Sequence, residues 1–314
     1  MSSLTKSKHA SHCLELAILL EASAHKPGNV SVVTNFEKTR YEHFLASAVA
    51  ASTSFESAAE RGIAVSEDRI DPSDVGVGQF IKRCMADINA WQHGGNTLLG
   101  TVILLSPMAV AAGMTMSRER FDVPALRKNL KLVVESTTAK DAADVYEAIK
   151  IANPSGLGKA PDLDINDPTA TKRIIEQKIT LYEVFKIAEK YDTICSEWTR
   201  NYPVTFDLAY PSLINRLRDS PDPGLAIVQT FLQVLAEVPD TFIARKTSIE
   251  KARQISLKAR EVIELGGVET SNGRKSLNKL DRELKKSSNL LNPGTTADII
   301  GAALALCILA GYRP

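Results

Sequence analysis

Residues 14–29 read LELAILLEASAHKPGN, an apolar helical pattern that runs directly into a turn containing Pro27 and Gly28. From Leu14 onward, apolar residues recur at spacings of three and four, as they do on one face of an α-helix. Pro27 fixes its own φ and biases Lys26 away from the α region, and Gly28 permits a backbone conformation that other residues resist. The stretch therefore predicts an amphipathic helix that stops at a rigid turn.

The same helical spacing recurs along nearly the whole chain. A second pattern begins near Phe44, and further helices are expected at residues 74–91, 96–112, 123–136, 139–151, 170–191, 193–201, 205–217, 224–237, 248–265, 271–287 and 295–310. Alternating patterns typical of strands are almost absent, although residues 131–134 could form a short strand. The pattern predicts an all-α fold.

Several of these helices begin next to side chains that can cap free amides, namely Asn96 or Thr97, Thr138 and Thr295. No composition shift flanks the irregular segments, and no repeat of about 20 to 50 residues stands out. We expect a single large multi-helix domain across residues 1–314.

The composition excludes several classes of protein. Lys and Arg number 38 against 37 Asp and Glu, so the chain lacks the basic excess of a nucleic-acid-binding protein. Its four cysteines are widely separated, which argues against a disulfide framework or a zinc site and favours a reducing cytoplasm. The N-terminus lacks the apolar core of a signal peptide, and the run at 299–310 is too short to span a bilayer. A cytoplasmic protein without nucleic-acid or membrane partners is expected, and a homo-oligomer is left open.

The turn at residues 26–29 is the first candidate site. Lys26 supplies a long-reaching positive charge, and Gly28 and Asn29 complete a turn that would suit a phosphate. The simpler interpretation is an ordinary helix stop made of Pro and Gly.

The loop Gly94-Gly95-Asn96-Thr97, which precedes an apolar helix, is the second candidate. The helix N-terminus would direct unpaired amides and a partial positive charge at an anion. Asn96 and Thr97 would then position a nucleotide, and His93 on the approach is a candidate catalytic residue. The alternative is a simple Gly-rich loop with an Asn cap.

Three carboxylates, Asp141, Asp144 and Glu147, recur every three residues and would share one helix face. Mg²⁺ prefers oxygen ligands, so Asp141 and Asp144 are candidate metal ligands, and Asp144 and Glu147 are candidate catalytic residues. Asp298 is a further candidate ligand, because a carboxylate in an otherwise apolar helix needs a partner or solvent. The alternatives are a solvated acidic face and a first-turn Asp favoured by the helix dipole.

Arg245 and Lys246 lie about one turn after Asp240 and would together suit a triphosphate. An exposed, salt-bridged turn is the alternative. The long irregular segment at residues 153–168 is rich in Pro, Gly and Asp, which is typical of a functional loop or a mobile lid.

Taken in order, these segments resemble the triphosphoribosyl-dephospho-coenzyme A synthase family over most of the chain. The matching motifs are Lys26-Pro27-Gly28-Asn29, Asn96-Thr97, Asp240-Thr241 and the turn from Pro293-Gly294 to Ala297-Asp298. The resemblance implies a transferase that moves the triphosphoribosyl group of ATP to 3'-dephospho-CoA, or to a related hydroxyl acceptor, with release of adenine. It also implies that Mg²⁺ and cationic side chains bind the triphosphate.

The chain departs from the family pattern at several positions. Leu98 and Leu99 precede Gly100 where members commonly carry His-Lys, Thr295 replaces a usual Gly, and Asn292 replaces a common Ser. The first change removes one potential base and one phosphate-binding cation, so the chain looks like a divergent member with an open choice of acceptor. Two alternatives follow: a helical protein that binds ATP or a coenzyme without turnover, and a Mg²⁺-dependent N-glycoside hydrolase in which water replaces the acceptor.

Overall fold

The computed structural model describes residues 3–116, 121–158, 160–219, 222–286 and 289–314. The helices in these ranges are α1 (Ser3–Ser23), α2 (Tyr41–Ser66), α3 (Val77–Trp91), α4 (Leu99–Met116), α5 (Val123–Glu135), α6 (Ala139–Ala152), α7 (Ala170–Glu176), α8 (Leu181–Ala188), α9 (Thr193–Thr199), α10 (Tyr210–Asp219), α11 (Pro223–Glu237), α12 (Thr241–Lys246), α13 (Ile249–Glu264), α14 (Ser271–Lys285) and α15 (Gly294–Leu309). A 3₁₀ helix spans Pro72–Asp74 and a π-helix spans Val204–Ala209. No β-strand occurs in the described ranges, so the all-α prediction is confirmed.

Two nearly apolar helices, α4 and α15, form the centre of the fold. Almost every side chain of both helices is buried, as expected for helices that are apolar all round. Helix α4 packs against α1, α2, α5 and α15, and α15 also packs against α1 and α11. By length and composition α4 could cross a membrane, but 89% of it is buried inside the fold.

Two predicted helices are interrupted. The stretch at 170–191 divides into α7 and α8, because Thr180 and Glu183 form a capping box that starts a new helix. The stretch at 205–217 begins as the π-helix, whose first amides, those of Val204 and Thr205, donate to the buried carboxylate of Glu197 at 2.8 and 2.9 Å. Residues 131–134, considered as a strand, lie inside α5.

The predicted caps agree with the structure in two places and differ in a third. Asn96 accepts from the amide of Leu99 at the start of α4, and Thr138 caps α6. Thr295 does not cap α15, which begins one residue earlier. A carboxylate from elsewhere in the chain takes that role: Asp240 accepts from the amide and hydroxyl of Thr296 at 2.7 and 2.8 Å.

Asp240 also caps α12, where its other oxygen accepts from the amides of Phe242 and Ile243 at 2.9 and 3.0 Å. One buried carboxylate therefore fixes the N-termini of α12 and α15 side by side. Both helix starts face the cavity described next.

Candidate functional site

A cavity of about 770 Å³ lies where the end of α1 and the starts of α4, α12 and α15 meet α6 and α8. We call the part of its wall formed by α1, α15 and the loop before α4 the polar half, after the polar side chains it contains, and the part formed mainly by α6 and α8 the apolar half. The wall of the apolar half includes Val145, Tyr146, Phe185 and Tyr191. An apolar pocket with a few convergent polar groups is the usual form of a small-molecule site.

The loop before α4 is held in place by its own polar contacts. Gln92 accepts from the amide of Gly94, and its amide nitrogen donates to the carbonyl of Gly95 at 2.8 Å. Thr97 shares a hydrogen bond of 2.7 Å with Ser47 of α2. The loop is therefore a shaped wall of the cavity, anchored to α2.

Three predicted residues of this loop, His93, Asn96 and Thr97, line the cavity together. Leu98 and Leu99 line it as well. At the positions where the family pattern carries His-Lys, this chain thus presents an apolar surface.

The turn at residues 26–29 is arranged differently from the prediction. The Lys26 ammonium is only 1% exposed and lies 3.0 Å from a carboxylate oxygen of Glu21. It also donates to the carbonyls of Glu21 and Ala24 at the end of α1. A buried ammonium needs such partners, so Lys26 stabilises Glu21 and the helix end and does not face the cavity.

The other two residues of that turn have separate positions. Gly28 has φ +73° and donates its amide to Asp281 at 2.9 Å; a Cβ on it would lie 2.8 Å from Leu284 of α14. Gly28 therefore lets the turn pack against α14, and it is not among the residues that line the cavity. Asn29 lines the cavity, and its side-chain amide donates to Pro27 O at 3.2 Å.

Two carboxylates, Glu21 and Asp298, lie in the polar half. Asp298 accepts from the Thr101 hydroxyl at 2.6 Å. A Cβ on Gly100 would lie 2.1 Å from an oxygen of Asp298, so only glycine leaves room for the carboxylate there. Burial, opposed by the Thr101 hydrogen bond and reinforced by the carboxylates of Glu21 and Asp240, raises the pKa of Asp298 to about 8.

Glu21 was not singled out from the sequence. It occupies an ordinary position in the amphipathic pattern of α1, and its one distinguishing feature is that it comes shortly before Lys26. Helical geometry alone does not show that the two side chains form a buried pair at the cavity wall.

The two predicted cations of α12 are separated by the helix. Arg245 lines the cavity and donates to Asp192, which also caps α9. Lys246 is not among the lining residues; it donates to the carbonyl of Asn289 at 3.0 Å and lies 3.8 Å from the ring centre of Phe242. Burial lowers the pKa of Lys246 to about 8. The predicted doubly cationic site therefore contributes one cation to the cavity.

The acidic face of α6 lies outside the cavity. Asp144 and Glu147 both pair with Lys82 of α3, at 2.9 and 2.6 Å. Asp141 accepts from the amide of Gly78 at 2.8 Å and from Thr138. These carboxylates join α6 to α3, and the opposite face of α6 lines the cavity.

Asp141, Asp144 and Asp298, the three predicted metal ligands, therefore do not form one site. Asp141 and Asp144 border a separate cleft of about 510 Å³, whereas Asp298 lines the main cavity. Among the described residues, no group of three or more His, Cys, Asp and Glu side chains is arranged to hold a metal ion. Asp144 and Glu147 are likewise not among the residues that line the main cavity.

The irregular segment at 153–168 forms part of the cavity wall through Asn153, Leu157 and Asp162, among others. Tyr146 of α6 donates its hydroxyl to Leu163 O at 2.5 Å, which ties the segment to the fold. Its position over the cavity agrees with a functional loop; whether it moves as a lid stays a prediction.

Comparisons with known proteins identify one family. The chain matches the CitG family, ATP:dephospho-CoA triphosphoribosyl transferase, over residues 7–313. A protein of Pseudomonas savastanoi pv. phaseolicola named "Probable 2-(5''-triphosphoribosyl)-3'-dephosphocoenzyme-A synthase" is 27% identical over 105 residues. The aligned part is 33% of this chain and 35% of that protein, so the match spans about a third of the relative's length.

A solved structure has a similar fold. It is an Archaeoglobus fulgidus protein named "putative triphosphoribosyl-dephospho-coA synthase", with a TM-score of 0.61 and 23% sequence identity. The alignment covers 86% of this chain and 100% of that one, so the helical arrangement is shared over its entire length.

Proposed function

Because this chain belongs to the ATP:dephospho-CoA triphosphoribosyl transferase family, we propose that it transfers the triphosphoribosyl group of ATP to a hydroxyl acceptor and releases adenine. The acceptor we favour is 3'-dephospho-CoA or a closely related molecule. The observation that carries the proposal is the cavity, which joins a helix N-terminus and Arg245 to a buried carboxylate pair and a large apolar wall.

The polar half suits the triphosphoribosyl group. The N-terminus of α4 is directed at it, and Asn96 and Thr97 supply polar side chains beside that helix end. Arg245 and Lys38 are the cations among the described lining residues. The apolar half, with its two tyrosines and Phe185, suits a heteroaromatic ring such as adenine.

The charge balance of the cavity supports Mg²⁺ as part of the substrate. Lys38 and Arg245 are the described cations that line the cavity, and Arg245 is already paired with Asp192. A bare triphosphate would therefore find too little positive charge there, whereas Mg²⁺ bound to its phosphates would offset most of its charge. We therefore propose that magnesium enters with ATP and is not a resident ion of the protein.

The proposed transfer needs only a few catalytic groups. Breaking the N-glycosidic bond develops positive charge on the sugar, which the ionised carboxylates that line the cavity would stabilise. The apolar wall and the segment at 153–168 would limit access of water, which favours transfer over hydrolysis.

The test is incubation of the full chain with MgATP and 3'-dephospho-CoA, followed by chromatography for adenine and mass spectrometry of the acceptor. Adenine in equal amount to a triphosphoribosylated acceptor is the expected result. Adenine with free triphosphoribose, formed equally without an acceptor, would indicate the hydrolase. Binding of ATP in calorimetry with no adenine from any acceptor would indicate a binding protein.

The acceptor needs its own experiment, because Leu98 and Leu99 replace the family His-Lys at the cavity wall. A panel of dephospho-CoA, CoA, and nucleosides with a free ribose hydroxyl can be compared by kcat/KM. A preference for another acceptor by tenfold or more would overturn dephospho-CoA as substrate without affecting the transferase assignment.

A further inference from the structure

We propose that Glu21 and Asp298 are the acid–base pair of this site: Asp298 gives its proton to the departing adenine, and Glu21 takes the proton of the attacking hydroxyl. The inference rests on the proposed transferase function and assigns its two proton transfers.

The geometry places both groups in the polar half of the cavity on adjoining helices. Asp298 lies just after the first turn of α15, and Glu21 is in the last turn of α1. Both side chains lie near the point where α1, α4 and α15 meet. Thr101 donates to Asp298. A Cβ on Gly301 would lie 3.6 Å from Thr101 Cγ2 and 3.9 Å from Glu21 Cγ, so α1, α4 and α15 meet closely at this point.

The environments of the two carboxyl groups differ in charge. Glu21 is paired with the buried ammonium of Lys26 at 3.0 Å, so its negative charge is neutralised in place. Asp298 instead accepts a hydrogen bond from a neutral threonine. A carboxylate held by an ammonium and a carboxyl group that is hydrogen-bonded to a neutral hydroxyl are chemically distinct groups, suited to the two different proton transfers.

The charged groups facing Asp298 are carboxylates. Glu21 faces it from α1 and Asp240 from the start of α12, while α4 presents the neutral Gly100 and Thr101. Asp240 is occupied in capping α12 and α15, and Arg245 of α12 pairs with Asp192. With this set of neighbours, the protonated form of Asp298 is favoured at neutral pH, as its raised pKa indicates.

Asp298 and Glu21 together account for both proton transfers of the reaction. The C1'–N9 bond of ATP breaks, its electron pair leaves with adenine, and the Asp298 proton goes to an adenine nitrogen. The acceptor oxygen forms the new bond to C1', and its proton goes to Glu21. Asp298 is then ionised and Glu21 protonated, so one proton transfer between them, directly or through water, restores the starting state.

The experiment compares two donors and three variants. The donors are ATP and the corresponding nicotinamide riboside triphosphate, whose base departs as a neutral molecule without protonation. The variants are Asp298→Asn, Glu21→Gln and, as a matched control, Asp207→Asn, which changes a carboxylate that pairs with Arg127 outside the cavity.

We expect Asp298→Asn to lower kcat with ATP by roughly 100- to 10,000-fold and with the nicotinamide donor by less than about tenfold. Glu21→Gln should lower kcat by a similar factor with both donors, because both need the hydroxyl deprotonated. Asp207→Asn should change neither rate by more than about twofold. An equal loss with both donors in Asp298→Asn would overturn the assignment of the acid.

The pH profile gives an independent readout. With ATP, wild-type kcat should fall as the pH rises through about 8, because the acid loses its proton, and with the nicotinamide donor it should not. If Asp298→Asn does not fold, this wild-type comparison decides: a profile that is the same for both donors would overturn the proposal. Absence of adenine from wild type with every acceptor would instead overturn the transferase function itself.

Discussion

Lys26 illustrates how the role of a single residue depends on the fold around it. In the sequence it is a cation in a rigid turn, which suits a phosphate. In the structure its ammonium is enclosed by Glu21 and by carbonyls at the end of α1. The positive charge of Lys26 holds the Glu21 carboxylate at the cavity wall, and Asn29 is the residue of the turn that lines the cavity.

Replacing Lys26 should therefore affect stability first. Lys26→Met leaves the buried Glu21 carboxylate without its partner, and we expect a loss of about 3–5 kcal/mol in the free energy of unfolding. Urea denaturation measures it, and the double variant Lys26→Met, Glu21→Gln should recover much of the loss. If Lys26→Met kept wild-type stability and only weakened ATP binding, Lys26 would be a phosphate ligand after all.

The neighbouring cations Arg245 and Lys246 offer a matched comparison. Arg245 lines the cavity, whereas Lys246 does not and donates to the carbonyl of Asn289. Arg245→Gln should raise KM for MgATP by roughly 10- to 100-fold, the range for loss of a hydrogen bond to a charged group. Lys246→Gln should raise it by less than about threefold. Equal effects in steady-state kinetics would contradict the placement of these side chains.

At the scale of secondary-structure elements, the site depends on how the N-termini of the surrounding helices are held in position by their caps. The caps of α4 and α6 come from residues adjacent in sequence, and both were predictable. The cap of α15 comes from Asp240, in the connection before α12, and it brings the helix that carries Arg245 against the helix that carries Asp298. A local pattern cannot reveal a cap supplied by a distant segment.

Removing this shared cap should disturb two helices at once. Asp240→Ala deprives α12 and α15 of side-chain acceptors, and we expect a loss of about 2–4 kcal/mol, the sum of two caps. Asp122→Ala, which removes the single cap of α5, should cost about 1 kcal/mol. Thermal or urea unfolding of the two variants provides the comparison. A loss in Asp240→Ala no larger than in Asp122→Ala would show that the cap of one helix is dispensable.

At the scale of the whole molecule, the cavity is formed by segments from the first helix to the last. Its polar half needs α1, α4, α12 and α15 together, and its apolar half needs α6, α8 and the segment at 153–168. The cavity therefore exists only in the complete fold. Its buried carboxyl groups also couple the stability of the molecule to pH.

The raised pKa of Asp298 determines the direction in which stability changes with pH. Its pKa is raised from 3.8 to about 8 in the folded chain, so between these values the folded state holds a proton that the unfolded state releases. Stability conferred by this group is full below about pH 4 and is lost as the pH rises to about 8, by at most about 1.4 kcal/mol per pH unit. Urea unfolding of wild type and Asp298→Asn across pH 4 to 9 isolates the effect as a difference. A difference that does not change with pH would show that Asp298 is ionised in the folded state.

The sequence by itself determined the helical fold, most helix boundaries and the family. Helical periodicity and neighbouring caps act within a few residues, so they can be read without the fold, as at α4 and α6. The family likewise follows from motifs in order along the chain. Only the tertiary structure decided which of these motif residues face one another. Asn29, His93, Asn96, Thr97, Arg245 and Asp298 do line one cavity.

Other predicted residues do not line the cavity, because they pair with residues elsewhere in the chain. Asp144 and Glu147 pair with Lys82 of α3, and Lys26 pairs with Glu21, which no motif had marked. The physical reason is that charge and burial act through space. Whether a carboxylate or an ammonium is free to meet a ligand depends on which distant helix packs against it.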